Sequence, residues 1–347
     1  MGNERPRPVT LLDVANEAGV SVSTASRALT GARRVRGDME ARVRGAVETL
    51  GYRPNEAARG LRMARTMTLG VLFHRLSSPV SLDLIDGMGA AAHEARYSLA
   101  VTSARGDRAL YGPLFQHMYG QRVDGLVLVW PRGDLSAHLA PFASAGVPAV
   151  GIRWQSGESG LTVVSADTTA GMSDAMAALA GLGHQLLTVI AHGVLWTPST
   201  LRRHYMDRAA EAVGIRVRRR DSRESGTSHL PLRDLVASEL ASEDPPTVFM
   251  VPYDEVGEVL NAIRALGKRV PEDVSVVSFT DSRFGGRSDF DRPAAIDVDS
   301  FELGRQLVIT TIETIETIEN GLPEHDIRLP NLARWVPGST VGPAPAR

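Results

Sequence analysis

Past residue 67, short runs of branched apolar residues alternate with longer amphipathic stretches, and no other feature of the sequence constrains the fold as tightly. The strand-like runs are 68–73, 98–102, 125–129, 149–152 and 163–165, followed by a second series at 187–191, 248–251 and 274–279. Helical patterns fall between them, among others at 82–95, 170–182, 201–213, 232–240 and 255–266. A strand reaches a parallel neighbour only through a crossover, so this alternation predicts parallel βαβ units gathered into two doubly wound α/β lobes. Open sheets of this kind bind ligands beyond the carboxyl ends of their strands.

The first 65 residues follow another pattern. Thr10 with Asp13 reads as a helix cap, and Leu11, Val14, Ala15 and Ala18 then share one face. Gly19 interrupts, Val20 is apolar, and Ser21 can cap a second short helix carrying Thr24, Ala25, Ala28 and Leu29. A third helix is expected from Asp38, with Val43, Ala46, Val47 and Leu50 as its stripe and Gly51 as its stop. Helix–glycine–helix at this spacing is a helix-turn-helix, and the second helix is left with Val22, Ser23 and Arg27 facing outward. Arginine there can bond guanine in bidentate fashion, while small side chains meet thymine methyls or phosphates. Charge agrees: residues 1–65 hold 12 Arg against 7 Asp/Glu, net +5, whereas the remainder is net −7. A basic head on an acidic body directs the head to a polyanion.

Several classes of function fall away. The chain has no cysteine, hence no disulfide, thiolate nucleophile or thiolate metal site. Its nine histidines show no HxxxH or HExxH spacing, there is no G-x-S-x-G elbow, and the single lysine, Lys268, lies in no phosphate loop. Gly87-Met-Gly-Ala-Ala-Ala92 looks like a dinucleotide fingerprint but falls inside a helical stripe. No catalytic residue, metal or cofactor is therefore expected, and the chain does not read as an enzyme. No apolar run approaches the roughly 20 residues that span a bilayer. The polar Met1–Thr10 stretch does not read as a secretory signal, so a cytoplasmic location is expected.

The residues from Val9 to Gly31, continued by Arg42-Val-Arg-Gly-Ala-Val-Glu-Thr-Leu-Gly-Tyr-Arg-Pro-Asn55, resemble the signature of the lactose-repressor (LacI/GalR) family. Ala57-Ala-Arg-Gly-Leu-Arg62 is similar to its hinge helix. The resemblance implies a homodimer on a pseudo-palindromic operator, with Leu61 wedged into the central minor-groove step; such a wedge unstacks the bases and bends the duplex. Gly60 lowers helix propensity, in keeping with a hinge that orders only on DNA. The candidate DNA contacts are Thr10, Ser21, Val22, Ser23, Thr24, Ser26, Arg27 and Arg33 in the head, with Asn55, Ala58 and Leu61 in the hinge.

The larger part resembles the same family's periplasmic-binding-protein-like sensor, through Arg122-Val-Asp-Gly-Leu126, Ala145-Gly-Val-Pro148, Gly181-Leu-Gly-His184 and the run from Leu266 to Val277. This implies a helix-turn-helix head at 1–53, a hinge at 54–66 and an effector domain at 67–347. Within the last, one lobe is expected at about 67–166 and 297–328 and the other at about 167–296 and 329–342. A small-molecule effector, a sugar or a sugar-derived or anionic metabolite, is expected in the cleft. Candidate effector residues are His74, Arg75, Ser78, Arg153, Trp154, Asp167, Trp196, Arg202, Tyr253, Asp254, Thr280 and Asp281. Sugar binders of the family favour Asn and Asp at cleft positions where this chain has Thr168, Tyr253 and Thr280, with Arg153 where an acid is frequent; that would suit an anion, while stacking of a glycoside on Trp154 or Trp196 stays open. The same fold without a DNA head serves as a solute-binding protein of transport, the alternative reading. The threefold Thr-Ile-Glu repeat at 311–319 is expected to be a helix whose Ile312 and Ile315 decorate the first lobe's flank. With no leucine heptad after Pro337, a dimer is expected.

Overall fold

The structure, a computed structural model, describes residues 9–30, 36–52, 65–76, 79–152, 161–191, 201–221, 231–279, 293–317, 326–330 and 332–346. Two compact units divide the chain, 1–66 and 67–347.

In the first unit, α1 (Leu11–Ala18), α2 (Val22–Thr30) and α3 (Gly37–Leu50) enclose a small core of Val14, Ala15, Ala18, Ala25, Val43 and Ala46. Thr10 and Asp13 close a reciprocal capping box at the start of α1. Gly19 ends that helix at φ 62°, a conformation that costs a Cβ-bearing residue energy, and its carbonyl accepts a 3.2 Å bond from Arg42 of α3. The tight turn between α1 and α2 is thereby tied to the third helix.

The second unit has two six-stranded sheets. The first contains β1 (Thr68–Phe73), β2 (Ser98–Ser103), β3 (Gly125–Val129), β4 (Ala149–Ile152), β5 (Thr162–Ala166) and β11 (Asp326–Leu329), all parallel, in the order β11-β5-β4-β3-β1-β2. The second contains β6 (Leu186–Ala191), β7 (Arg216–Asp221), β8 (Val248–Pro252), β9 (Ser275–Phe279), β10 (Ala294–Val298) and β12 (Ala333–Val336), in the order β12-β10-β9-β8-β6-β7, with only β12 antiparallel.

Both faces of each sheet are covered, so strand residues alternate between two apolar clusters with the period of two that a pleated strand imposes. In the first lobe Leu69, Val71 and Phe73 of β1 join Val127 and Val129 of β3 under α4 (Pro79–Glu94) and α11 (Ser300–Thr317). Leu72, Leu126 and Leu128 point the other way, against α5 (Tyr111–Gly120) and α6 (Ser136–Ser144). In the second lobe α7 (Thr169–Gly181) and α8 (Leu201–Ala212) cover one face, and α9 (Leu232–Leu240) and α10 (Tyr253–Ala265) the other.

The Gly87 stretch has a packing role. A Cβ on Gly87 would meet the backbone oxygen of Phe301 at 1.9 Å, and one on Gly304 would meet that of Leu84 at 2.2 Å. The two glycines let α4 and α11 approach backbone to backbone. The Thr-Ile-Glu repeat corrects the expectation made for it. In its described part, 311–317, Thr311, Thr314 and Ile315 are buried and turn to the core, while Glu313, Glu316 and Thr317 stay exposed. Thr311 and Thr314 donate 2.7 Å bonds to the carbonyls four residues back, which satisfies their hydroxyls and lets them pack as small apolar groups.

Strand β7 was not expected at all, because Arg216-Val-Arg-Arg-Arg-Asp221 has no apolar alternation. It forms as an edge strand whose arginines are neutralised. Arg218 and Arg220 bond the carboxylate of buried Glu239 at 3.0 and 2.6 Å, Arg216 pairs with Asp244 at 2.8 Å, and Arg219 with Asp207. After β12 the chain runs on beside β9. Thr340 donates to the Val276 carbonyl at 2.6 Å, and the Gly342 carbonyl lies 2.9 Å from Nε2 of buried His184, whose Nδ1 lies 2.9 Å from the Thr247 hydroxyl.

Two outcomes follow from this packing. Gly87→Ala is expected to destabilise the chain by about 1–3 kcal/mol through overpacking. Gly89→Ala in the same helix, where a Cβ would meet nothing within 4 Å, is expected to stabilise it by about 0.5–1 kcal/mol. Denaturant melts of the pair measure both, and equal signs would contradict the close approach. For Glu239, burial opposes ionisation, but Arg218, Arg220 and Thr188 outweigh it and hold the carboxyl below its usual 4.5. A depressed carboxyl stabilises the fold above the unfolded value, and that stability is lost as pH falls through the folded one. Glu239→Gln should therefore cost about 1–3 kcal/mol near pH 7, with the deficit shrinking as melts are taken below pH 4.5.

Candidate functional sites

In the head, the sequence around Ser21 builds one polar surface on the first turns of α2. The Ser21 hydroxyl accepts the Thr24 N–H at 3.1 Å, capping the helix, and lies 2.9 Å from the Ser23 hydroxyl and 2.8 Å from that of Thr24. Arg27 turns back over it, donating from Nε to the Ser23 carbonyl at 3.0 Å and from Nη2 to its hydroxyl at 3.3 Å. Ser21, Ser23 and Arg27 are exposed, Thr24 and Ser26 half-buried. The first turn of α2 holds no acid, so the partial positive charge of the helix end is uncompensated on the side that would meet phosphate.

One candidate, Val22, sits differently from its expected outward placement, whereas Thr10 forms the helix cap expected of it. Val22 is half-buried and packs against the head's core. Thr10 is half-buried and its hydroxyl donates to Asp13 at 2.6 Å within the capping box. Arg33, Asn55, Ala58 and Leu61 lie outside the described residues.

In the larger unit the chain leaves the first sheet after the carboxyl ends of β5 and β11, so that sheet's carboxyl edge is the side from which the connections to the second sheet depart. His74 follows β1 directly at this edge. Its Nδ1 lies 2.9 Å from the Tyr111 hydroxyl, and the same hydroxyl accepts the Arg132 N–H at 3.0 Å. With its oxygen engaged by Arg132, Tyr111 can give its own hydrogen to Nδ1, leaving the N–H of a neutral imidazole on Nε2. Burial, and then the guanidiniums of Arg132, Arg75 and Arg108, push the His74 pKa below its usual value and keep the ring neutral.

Arg75 is exposed, and its guanidinium lies over Gly106, where a Cβ would collide with it; Arg108 lies over Gly133 in the same way. Asp167 accepts the Thr169 N–H at 2.8 Å at the start of α7, and that bonding depresses its pKa. The structure thus brings His74 and Arg75 together and gives Asp167 a capping role. Arg202 lies on α8, and Tyr253 and Asp254 open α10. Ser78, Arg153, Trp154, Trp196, Thr280 and Asp281 lie outside the described residues. Sequence reading missed Arg108, Tyr111 and Arg132. They follow the ends of β2 and β3, and the strand-end rule applied to those two strands would have found them.

Two family models match the chain. Residues 10–55 match the model for bacterial regulatory proteins of the lacI family, and residues 176–341 match the periplasmic binding protein-like domain. Catabolite control protein A of Priestia megaterium is 27% identical over 279 residues, covering 79% of this chain and 83% of that protein. The ribose operon repressor of Escherichia coli K12 is 26% identical over 276 residues, covering 78% and 83%. Among solved structures, the lac repressor dimer bound to operator and the anti-inducer ONPF superposes with a TM-score of 0.75 at 23% identity, over 97% of this chain and all of the other, a likeness of fold. The chain is a DNA-binding transcription regulator with a small-molecule effector domain. Its head matches the lacI family of bacterial regulatory proteins, and the larger unit matches the periplasmic binding protein-like domain over 176–341.

An NMR titration of the His74 ring should place its pKa below 6.5, and Arg132→Gln should raise it part of the way back, since removing a neighbouring cation favours imidazolium while burial persists. An unshifted ring would contradict the arrangement.

Proposed function

We propose that the chain is a homodimeric repressor acting in the cytoplasm, binding a pseudo-palindromic operator through α2 and the hinge and released or recruited by an effector between its two lobes. The exposed Ser21–Ser23–Arg27 surface at the start of α2, in a head that matches the lacI family model, carries this reading. Each head reads one half-site. Ser21, Ser23 and Thr24 meet phosphates or thymine methyls, and Arg27 leaves its intrahelical bonds to reach a base edge. Leu61 supplies the minor-groove wedge at the centre. The relative solved as a dimer on operator DNA supports the assembly.

The effector reaches residues of both lobes, with His74 and Arg75 at the first sheet's edge and Arg202, Tyr253 and Asp254 on the second lobe's helices. Differential binding to open and closed lobe arrangements then shifts DNA affinity. That no helix among the described residues is long and apolar enough to cross a membrane agrees with a DNA-bound role. The solute-binding reading has no use for the polar surface of α2.

Arg27→Ala should lower affinity for the chain's own promoter DNA by about 1–3 kcal/mol while leaving the thermal midpoint unchanged, because the side chain is exposed and its hydrogen bonds to described residues stay within its own helix. Leu61→Ala should weaken specific binding much more than binding to random duplex. Fluorescence anisotropy at fixed salt measures both, and equal losses on the two DNAs would contradict the wedge.

A further inference from the structure

The carboxyl edge of the first sheet carries three arginines that no acidic side chain among the described residues pairs. Arg75, Arg108 and Arg132 stand on the loops after β1, β2 and β3, three strands adjacent in the sheet. Among the described residues none of the three forms an ion pair. The arginines of β7 are the internal contrast, since each of the four is paired with Asp207, Glu239 or Asp244.

The acids nearest in sequence are already engaged. Asp107 accepts the Ala109 N–H at 2.9 Å, and Asp134 accepts the Ser136 N–H at 2.8 Å and its hydroxyl at 2.7 Å. The backbone makes room for the cations. Gly106 and Gly133, at φ 84° and 78°, lie beneath the guanidiniums of Arg75 and Arg108, where a Cβ would collide with each. Gathering three like charges is unfavourable until an anion joins them, and guanidinium forks match the oxygens of carboxylate and phosphate. A neutral sugar would be served better by amides and carboxylates.

We propose that Arg75, Arg108 and Arg132, with the His74–Tyr111 pair beside them, bind an oxyanion group, so that the effector is a small metabolite bearing a phosphate or a carboxylate. This rests on the reading of the edge as the effector site. The positive field felt by the His74 ring is the same field the anion would meet.

The test is calorimetric titration of the full chain with inorganic phosphate, glucose 6-phosphate, gluconate and glucose, which separates phosphate from carboxylate and both from a neutral sugar. Promoter binding by the ligand-free protein is measured in parallel. At least one anionic probe is expected to bind, and Arg108→Gln and Arg132→Gln to weaken it by about ten-fold or more. Arg233→Gln, the same charge change on the exposed face of α9, should leave it unaltered. Melts without ligand confirm that the variants fold. Binding of glucose alone, binding of no anion at millimolar concentration, or anion binding indifferent to both edge variants would each overturn the proposal. If promoter binding persists in those cases the regulator reading stands; if promoter binding fails while anions bind, that reading falls and the oxyanion site remains.

Discussion

Parallel strand pairing is the constraint on which the larger unit depends. A parallel neighbour requires the chain to return outside the sheet, so all carboxyl ends collect on one edge and all returning helices on the two faces. The faces become dry and the edge becomes a row of loops. In the first lobe the dryness is carried to the point of backbone contact, with Gly87 and Gly304 letting α4 and α11 touch. The loops after β1, β2 and β3 are where polar chemistry can stand, and His74, Arg75, Arg108 and Arg132 stand there. Rigid faces with a polar edge suit a domain that must recognise a small molecule and respond as a body.

The head works under the opposite limitation. Three short helices enclose few side chains, and its order leans on local devices: the Thr10–Asp13 box, the left-handed Gly19 held by Arg42, and the Ser21 cap. Several of these polar groups do double duty at the surface that would meet DNA. Arg27 shows the economy plainly, being held over Ser23 in the free protein yet exposed enough to exchange that bond for a base edge.

Much of the fold was legible in the sequence because buried strands and amphipathic helices have distinct periods. The strands at 68–73, 125–129 and 149–152 coincide with those formed, and α9 matches its predicted limits. Reading failed where burial was bought with charge or hydroxyls rather than carbon. β7 hid behind its arginines, which only Glu239, Asp207 and Asp244, distant in sequence, make tolerable. The Thr-Ile-Glu helix was expected to decorate the first lobe's flank through Ile312 and Ile315; the burial of Thr311 and Thr314 depends on hydroxyls that bond back to the preceding turn. At the candidate site, the strand-end rule named His74 and Arg75, and both stand at the first sheet's carboxyl edge. Tyr111, which organises the same edge, was not named, since its role depends on a bond to His74 across 37 positions.

The central claim is that two identical heads read two related half-sites. Selection of bound sequences from a pool of random DNA duplexes by the full chain tests it most directly. Enrichment of an inverted repeat with a fixed centre is the result the account predicts. Retention of duplexes with no enriched sequence, or with a single unrepeated half-site, would contradict it.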